Sequence, residues 1–172
     1  INKDVTLLSS TTQGVWFDVY IPWESFQEKL VVIDNQRFTT VEIPGWAETN
    51  QPGTPKLPVL FETIGVPFGV DLTIKVHPGK SHQIKLSAPV MPSPTQKIDQ
   101  SLGKFRGNES ERLFGKYVTE LDHGSNLKSD TFPAHLAQIT NDGVIRNQRI
   151  VGISVNPVQF NPSLNMITIY ES

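Results

Sequence analysis

The chain has 172 residues, enough for one domain with a core of its own, and a formal net charge of −2. So balanced a charge gives no electrostatic reason to expect a nucleic acid or an anionic membrane surface as a partner. Membrane insertion is not predicted either. A spanning helix needs about 20 consecutive apolar residues, and every apolar run in the sequence is far shorter. The absence of cysteine excludes disulfides, thiol nucleophiles and cysteine-ligated metal sites.

Apolar and polar residues alternate with a period of two through most of the chain, which predicts strands. In chain order, the clearest alternating segments are 15–21, 70–76, 84–88 and 151–155. A turn at 161–165 then separates two short apolar segments, 158–160 and 166–170, which predicts a closing hairpin. Short strands between turns rich in glycine, proline and asparagine are typical of antiparallel sandwiches. The predicted fold is therefore all-β, a jelly-roll-like antiparallel β-sandwich.

One long segment, from Pro89 to about Asp130, breaks this rhythm. It opens on a proline-rich run, 89–94, and continues with mixed charge and no sustained alternation. Within it a short helix is predicted near 109–117, where two glutamates and a serine suit a helix start. Loops longer than about 12–15 residues are uncommon in compact domains and are usually either functional or disordered. We therefore predict one long irregular loop here.

The residues that can carry chemistry form no recognisable catalytic or metal site. The chain has no Gly-x-Ser-x-Gly nucleophile elbow, no phosphate-binding glycine loop and no dinucleotide fingerprint. His77 and His82 are an odd number of residues apart and would face opposite sides of one strand, which favours exposed strand-end histidines over a metal site. The aspartates lack the calcium-loop spacing, and Asp142-Gly143 is predicted to form a turn. No catalytic residue, metal or cofactor is therefore predicted.

Three tryptophans, Trp16, Trp23 and Trp46, leave a second interpretation open. Aromatic rings on a β-sandwich can stack against sugar rings, because tryptophan offers a large and rigid contact surface. The alternative is that these side chains belong to the core. An exposed coplanar pair would favour a carbohydrate-binding module, whereas burial would favour the core role. From the residues alone, the prediction reaches a secreted-type β-sandwich without an active site.

Two segments carry a resemblance to a known family. Residues 53–58 read Gly-Thr-Pro-Lys-Leu-Pro, with Ile-Gly-Val-Pro at 64–67, and resemble the Gly-x-Pro-x-Leu-Pro signature of gingipain propeptides. The second segment consists of Phe132-Pro133, residues 151–156 and residues 157–162, and the last of these, Pro-Val-Gln-Phe-Asn-Pro, resembles the turn before the closing strand of that family. The Leu-Ser-Ala-Pro run at 86–89 lies between them and also looks like the family. The matches thus run in the right order over about 49–171.

This resemblance implies a fold and a role. Gingipain propeptides are β-sandwich domains that precede a caspase-like cysteine peptidase domain in a secreted or cell-surface bacterial precursor. They act as intramolecular chaperones and inhibitors of the latent enzyme and are removed by cleavage. Residues 1–172 are accordingly expected to form one propeptide domain, the N-terminal part of a larger precursor, with the peptidase domain as partner and with no cofactor. The alternatives are a carbohydrate- or surface-binding module and a structural domain of a large secreted protein.

The resemblance also implies an inhibitory residue. In the family, the long loop after the Leu-x-Ala-Pro strand places a basic side chain in the specificity pocket of the peptidase. That loop begins here at Pro89, and Lys97 is its first basic residue, at a position where the family pattern has arginine. Lys97 is therefore the expected pocket residue, and Arg106 is the next candidate. The alternative is that Lys97 is a solvated loop lysine.

Overall fold

A computed structural model describes residues 4–98, 117–120 and 131–171, with 95–98 and 117–120 described by their main chain alone. Its strands are β1 Val5–Thr11, β2 Gly14–Val19, β3 Gln27–Ile33, β4 Gln36–Glu42, β5 Ala47–Glu48, β6 Pro58–Val66, β7 Ser81–Lys85, β8 Thr95–Ile98, β9 Tyr117–Glu120, β10 Ala137–Ile145, β11 Gln148–Val155, β12 Val158–Asn161 and β13 Met166–Tyr170. A 3₁₀ helix spans Trp23–Ser25, and no α-helix occurs within the described residues. The predicted all-β class is confirmed.

Antiparallel pairing arranges the described strands in two larger sheets and three two-stranded pairs. The larger sheets have the orders β10-β11-β6-β5 and β12-β13-β7, and the pairs are β1-β2, β3-β4 and β8-β9. The predicted closing hairpin is confirmed, because β12 and β13 pair from Val158 opposite Ile169 to Asn161 opposite Met166. The C-terminal hairpin therefore forms the centre and one edge of its sheet.

The segment that was predicted to be irregular contains the strand pair β8–β9. Thr95 lies opposite Glu120, and Ile98 lies opposite Tyr117. Most of the predicted short helix, 109–116, lies outside the described residues, and Tyr117 begins a strand. Neither strand alternates apolar with polar residues, so only the pairing identifies them.

The most regular alternation in the sequence, 70–76, forms no strand. Its side chains keep the predicted pattern only in the middle, since Leu72 and Ile74 are half-buried between exposed neighbours whereas Val70 and Val76 are exposed. The start of the segment is held instead by Arg149, whose Nη1 donates to the Val70 carbonyl at 2.8 Å. Alternation decides which side chains face inward, whereas a strand also needs a partner at hydrogen-bonding distance. The strand prediction for 70–76 is therefore wrong, although Leu72 and Ile74 face inward as expected.

Two hairpins turn at pairs of residues with positive φ. Asp34 and Asn35 join β3 to β4, and Arg146 and Asn147 join β10 to β11, with φ of 50° and 63° in each pair. Two-residue turns of this kind match the twist of the strands that they join. Asparagine tolerates the left-handed conformation because its short side chain bonds locally.

The turn predicted at Asp142-Gly143 is wrong, because both residues lie inside β10. They pair with Val151 and Ile150 of β11. The Asp142 carboxylate accepts a hydrogen bond from Nε of Arg149 at 2.9 Å within the same strand pair. This ion pair holds Asp142 in the strand, and the chain reverses at the asparagine-containing turn further on.

The core joins the first half of the chain to the C-terminal hairpin. Within the described residues, one cluster of buried apolar side chains consists of Ile21, Val41, Ile43, Leu57, Leu86, Val90, Val158, Phe160, Ile167 and Ile169. Leu57, Val158 and Phe160, which are at most 4% exposed, come from the two segments that carry the family resemblance. Burying such a side chain stabilises the fold by about 1.5–3 kcal/mol.

Among the described residues, no helix is long and apolar enough to cross a membrane.

Candidate functional site

The candidate site is built around β8–β9, because the loop that the resemblance marks as inhibitory contains this strand pair. Within the described chain, β8 and β9 pair with each other and with no other strand. The main chain of Lys97 lies on β8 opposite Val118, and only the main chain of this residue is described. Arg106 lies outside the described residues. The role predicted for these two basic residues therefore stays a prediction.

The segment 88–93, which leads into β8, is hydrogen-bonded on two sides. We name this set of contacts the entry clasp: Thr39 and residues 49–57 against residues 88–93. Thr39 of β4 is fully buried, and its N–H donates to the Pro89 carbonyl at 2.8 Å while its own carbonyl accepts from the Met91 N–H at 2.9 Å. Its hydroxyl donates to the Ala88 carbonyl at 2.9 Å. Every polar group of this buried threonine is therefore bonded to the segment.

The other side of the entry clasp is the segment that resembles the first family signature. The Gly53 N–H donates to the Ser93 carbonyl at 2.9 Å, and the Ser93 N–H donates to the Thr54 carbonyl at 2.7 Å. The Lys56 N–H donates to the Met91 carbonyl at 2.8 Å. Gly53 has a φ of 77°, a left-handed conformation that glycine adopts without steric cost. The signature glycine thus shapes the turn that makes these bonds.

Hydroxyl groups complete the entry clasp where proline interrupts main-chain bonding. Pro55 and Pro92 have no N–H to donate. Ser93 Oγ donates to the Thr49 carbonyl at 2.8 Å. Thr49 Oγ1 in turn donates to the Pro55 carbonyl at 2.7 Å and accepts from the Leu57 N–H at 2.9 Å. Ser93 is 1% exposed, and its N–H, carbonyl and hydroxyl are all bonded within the clasp.

A cavity of about 500 Å³ opens beside the entry clasp. Its lining includes Thr49 and Ser93, and also Lys56 and Glu48, whose Nζ and Oε2 atoms form an ion pair of 2.6 Å. Each of these two charged side chains is about one-third exposed, at 30% and 35%. Water screens such a pair, so that its contribution to stability is about 0–1 kcal/mol. The cavity thus shares its walls with the clasp.

A second set of contacts lies downstream of β9 in the sequence. We name it the exit clasp: residues 132–136 against residues 156–160. Phe132 and Phe160 exchange two main-chain hydrogen bonds, at 2.8 Å from the Phe132 N–H and at 2.7 Å from the Phe160 N–H. The Asn156 N–H donates to the Leu136 carbonyl at 2.7 Å. The segment that carries the second family resemblance supplies this side of the clasp.

Carboxamide side chains add to the exit clasp. Asn156 is 3% exposed, and its Nδ2 donates to the His135 carbonyl at 3.0 Å. Gln159 Nε2 donates to the Pro133 carbonyl at 2.8 Å, and its Oε1 accepts from the Tyr170 hydroxyl at 3.4 Å. The two segments that resemble family signatures therefore hold the two ends of the one segment that contains β8–β9.

Sequence reasoning identified these segments but not all of the residues that bond them. Thr49 and Ser93 are 44 positions apart in the chain, and neither was predicted to belong to a site. One local signal was available, because Ser93 stands between two prolines. A hydroxyl beside prolines can replace the main-chain donors that they lack. That signal indicates a hydrogen-bonding role without identifying the partner.

The three tryptophans, for which a sugar-binding platform and a core role were left open, have different surroundings. Trp46 is half-buried against the core, and its Nε1 donates to Oδ2 of Asp4 at 2.9 Å. Trp16 is 55% exposed and stacks on His77 with ring centroids 6.2 Å apart. Trp23 contacts the ring of His82 at 4.5 Å and also stacks on a phenylalanine. All three tryptophans are described, and no two of them stack on each other.

The titratable side chains described in this chain form no metal-binding group of three. His82 Nε2 lies 3.3 Å from Oε1 of Glu171, at the end of the closing hairpin. In β10–β11, the hydrogen bond from Arg149 lowers the pKa of Asp142 and raises the pKa of Arg149 in return. Both pairs lie outside the two clasps.

Comparison with known proteins connects this fold to one family. The model of the family Propeptide_C25 matches residues 1–172. Lys-gingipain HG66 of Porphyromonas gingivalis is 22% identical over 160 residues, which are 89% of this chain and 8% of that protein. The chain thus spans less than a tenth of the length of this curated relative.

Two solved structures share the fold. The complex of Porphyromonas gingivalis RgpB pro- and mature domains superposes with a TM-score of 0.73 at 21% identity, covering 99% of this chain and 82% of that one. A structure on the zymogenic latency of gingipain K from Porphyromonas gingivalis gives a TM-score of 0.61 at 21% identity, covering 85% of this chain and 76% of that one.

Proposed function

The chain belongs to the Propeptide_C25 family, and from this premise we propose that it inhibits, and helps to fold, the cysteine peptidase domain of its own precursor. As a propeptide of the gingipain type it is not itself a catalytic domain. The match of the family over all 172 residues is the observation that carries the proposal. The fold shared with the RgpB complex adds support, because that structure holds a pro-domain together with its mature domain.

The proposed partner is a caspase-like peptidase domain in the same bacterial precursor, secreted or held at the cell surface. Three features support the proposal that this domain binds another protein and does not itself act on a substrate. The charge is balanced, no metal-binding group occurs among the described residues, and the entry clasp holds the segment that leads into β8. A strand pair held in this way offers a preformed surface to a partner, which lowers the entropic cost of binding.

Within this proposal, Lys97 enters the specificity pocket of the peptidase. Its position supports the assignment, since Lys97 lies on β8, four residues beyond Ser93 of the entry clasp. A lysine paired with an acidic pocket residue forms a charge-assisted contact, and truncating one partner of such a pair costs about 2–5 kcal/mol. Arg106 is the second candidate for the same role.

The test is a titration of the peptidase domain from the same precursor with the wild-type chain, Lys97→Ala and Arg106→Ala. We expect inhibition by the wild-type chain and an inhibition constant at least about 30-fold higher for Lys97→Ala. Unchanged inhibition by Lys97→Ala would make it a solvated lysine, and a selective loss in Arg106→Ala would move the role there. The chaperone part is measured as the yield of active peptidase after refolding with and without the chain. Failure of the wild-type chain in both assays would refute the proposed function.

A further inference from the structure

Both segments that carry the family resemblance bond to the same structural segment, one at each of its ends. Residues 53–56 bond to Met91 and Ser93 ahead of β8, and residues 156–160 bond to 132–136 beyond β9. Each is also anchored in the core, the first through Leu57 and the second through Val158 and Phe160. The interior of the fold is thereby connected to the segment directly ahead of β8 and to the segment that begins at Phe132, twelve residues beyond Glu120 at the end of β9.

We propose that the entry and exit clasps are positioning elements for inhibition, with Ser93 as the central residue of the entry clasp. The entry clasp fixes where the chain leaves the sheet just ahead of β8, and the exit clasp fixes where it rejoins the sheet at Phe132, so that together they set the direction in which the strand pair meets the peptidase. This inference rests on the proposed function and deepens it, since it assigns a role to residues that do not themselves enter the peptidase.

The physical basis is preorganisation. Binding a partner requires that the contacting segment be ordered, and a segment that is already ordered loses less entropy on binding. Ser93 is suited to this task because its three polar groups connect it to Gly53, Thr54 and Thr49. Loss of its hydroxyl removes the donor to the Thr49 carbonyl and leaves the core side chains unchanged. The substitution therefore weakens the entry clasp next to β8 and creates no cavity in the core.

The chain contains a matched control. Ser154 on β11 is 2% exposed, as deeply buried as Ser93, but its hydroxyl has no hydrogen-bond partner. Ser154→Ala therefore removes a buried serine hydroxyl without removing a bond. Thr49 provides a second comparison, since Thr49→Val removes the hydroxyl that bonds Pro55 and Leu57, whereas Thr49→Ser keeps it.

The experiment uses the full chain and two measurements. Main-chain hydrogen exchange of the free chain is followed at 95–98 and 117–120, with 148–155 of β11 as the internal reference. Inhibition of the peptidase domain is measured for the same variants. For Ser93→Ala and Thr49→Val we expect exchange to rise about two- to tenfold at β8–β9 and by a smaller factor at β11, and the inhibition constant to rise by a factor similar to that at β8–β9. Ser154→Ala and Thr49→Ser are expected to match the wild-type chain in both.

Three results would overturn the proposal. Wild-type exchange and inhibition in both Ser93→Ala and Thr49→Val would show that the clasp does not position the strand pair. A rise in exchange at β11 equal to that at β8–β9 would mean a loss of global stability instead. Faster exchange at β8–β9 with an unchanged inhibition constant would show that inhibition does not depend on how well the strand pair is ordered. Absence of inhibition by the wild-type chain is a different outcome, because it refutes the proposed function while the exchange data still show whether the clasps hold β8–β9.

Discussion

The entry and exit clasps hold the two ends of the same segment by different chemistry. The entry clasp relies on short hydroxyl groups, those of Thr49 and Ser93, which bring two proline-interrupted segments into direct contact. The exit clasp uses the longer carboxamides of Asn156 and Gln159 in addition to the reciprocal main-chain pair at Phe160. Where proline removes main-chain donors, side-chain hydroxyls or carboxamides supply hydrogen bonds in their place, while main-chain bonds of 2.7–2.9 Å join the segments in both clasps.

The largest expected effect comes from weakening both clasps together, in Ser93→Ala combined with Asn156→Ala. Each substitution leaves a carbonyl without its donor and is expected to lower the free energy of unfolding by about 1–3 kcal/mol. The two sites share no hydrogen-bond partner, so their effects should add to within about 0.5 kcal/mol. Denaturant unfolding of both single variants and the double variant measures this sum. A departure of more than about 1 kcal/mol would show that the two clasps form one coupled unit and do not act independently.

Gly53→Ala tests whether the entry clasp depends on its left-handed residue. At a φ of 77°, a side chain meets the following carbonyl, and we expect a loss of about 1–2 kcal/mol in the free energy of unfolding. Gly143→Ala in β10 is the control, because its φ is not in the left-handed region and the added Cβ meets nothing within 4 Å. Equal effects of the two substitutions would show that backbone conformation at Gly53 is not what matters.

Gln159→Ala tests the carboxamide side of the exit clasp. Its loss removes the hydrogen bond to the Pro133 carbonyl and the long one from the Tyr170 hydroxyl, and we expect a cost of about 0.5–1.5 kcal/mol because the main-chain bonds at Phe160 remain. Gln83→Ala on the exposed side of β7 serves as the control and should change stability by less than about 0.5 kcal/mol. Thermal unfolding of both variants measures the difference. A cost for Gln159→Ala above that of Ser93→Ala would reverse the ranking of the two clasps.

The smallest effect is expected outside both clasps, at Asp142. The hydrogen bond from Arg149 lowers its pKa in the folded chain below the ordinary value of 3.8. The resulting stabilisation is fully present above that value and is lost as the pH falls through the lowered pKa. Asp142→Asn should therefore be less stable than the wild-type chain at neutral pH and approach it in acid, with inhibition unchanged at neutral pH. Denaturant midpoints at several pH values would contradict this if the difference between the two chains did not shrink in acid.

Local patterns sufficed for those features that depend on neighbouring residues. Alternation with a period of two correctly predicts the all-β class, and the turn residues at 161–165 predict the closing hairpin of β12 and β13. The signatures at 53–58 and 157–162 correctly indicate the family. Each of these conclusions follows from short stretches of sequence, because side-chain facing and turn formation are local properties.

Only the tertiary structure decided which segments pair. It left 70–76 without a partner strand, kept Asp142 and Gly143 inside β10, and paired β8 with β9 in a stretch without alternation. It also joined Thr49 to Ser93, which no local pattern connects. Hydrogen bonding between distant segments depends on how the whole chain packs. The sequence by itself therefore determined the fold class and the family, and the packed structure determined how the signature segments bond to residues 88–93 ahead of β8 and to residues 132–136.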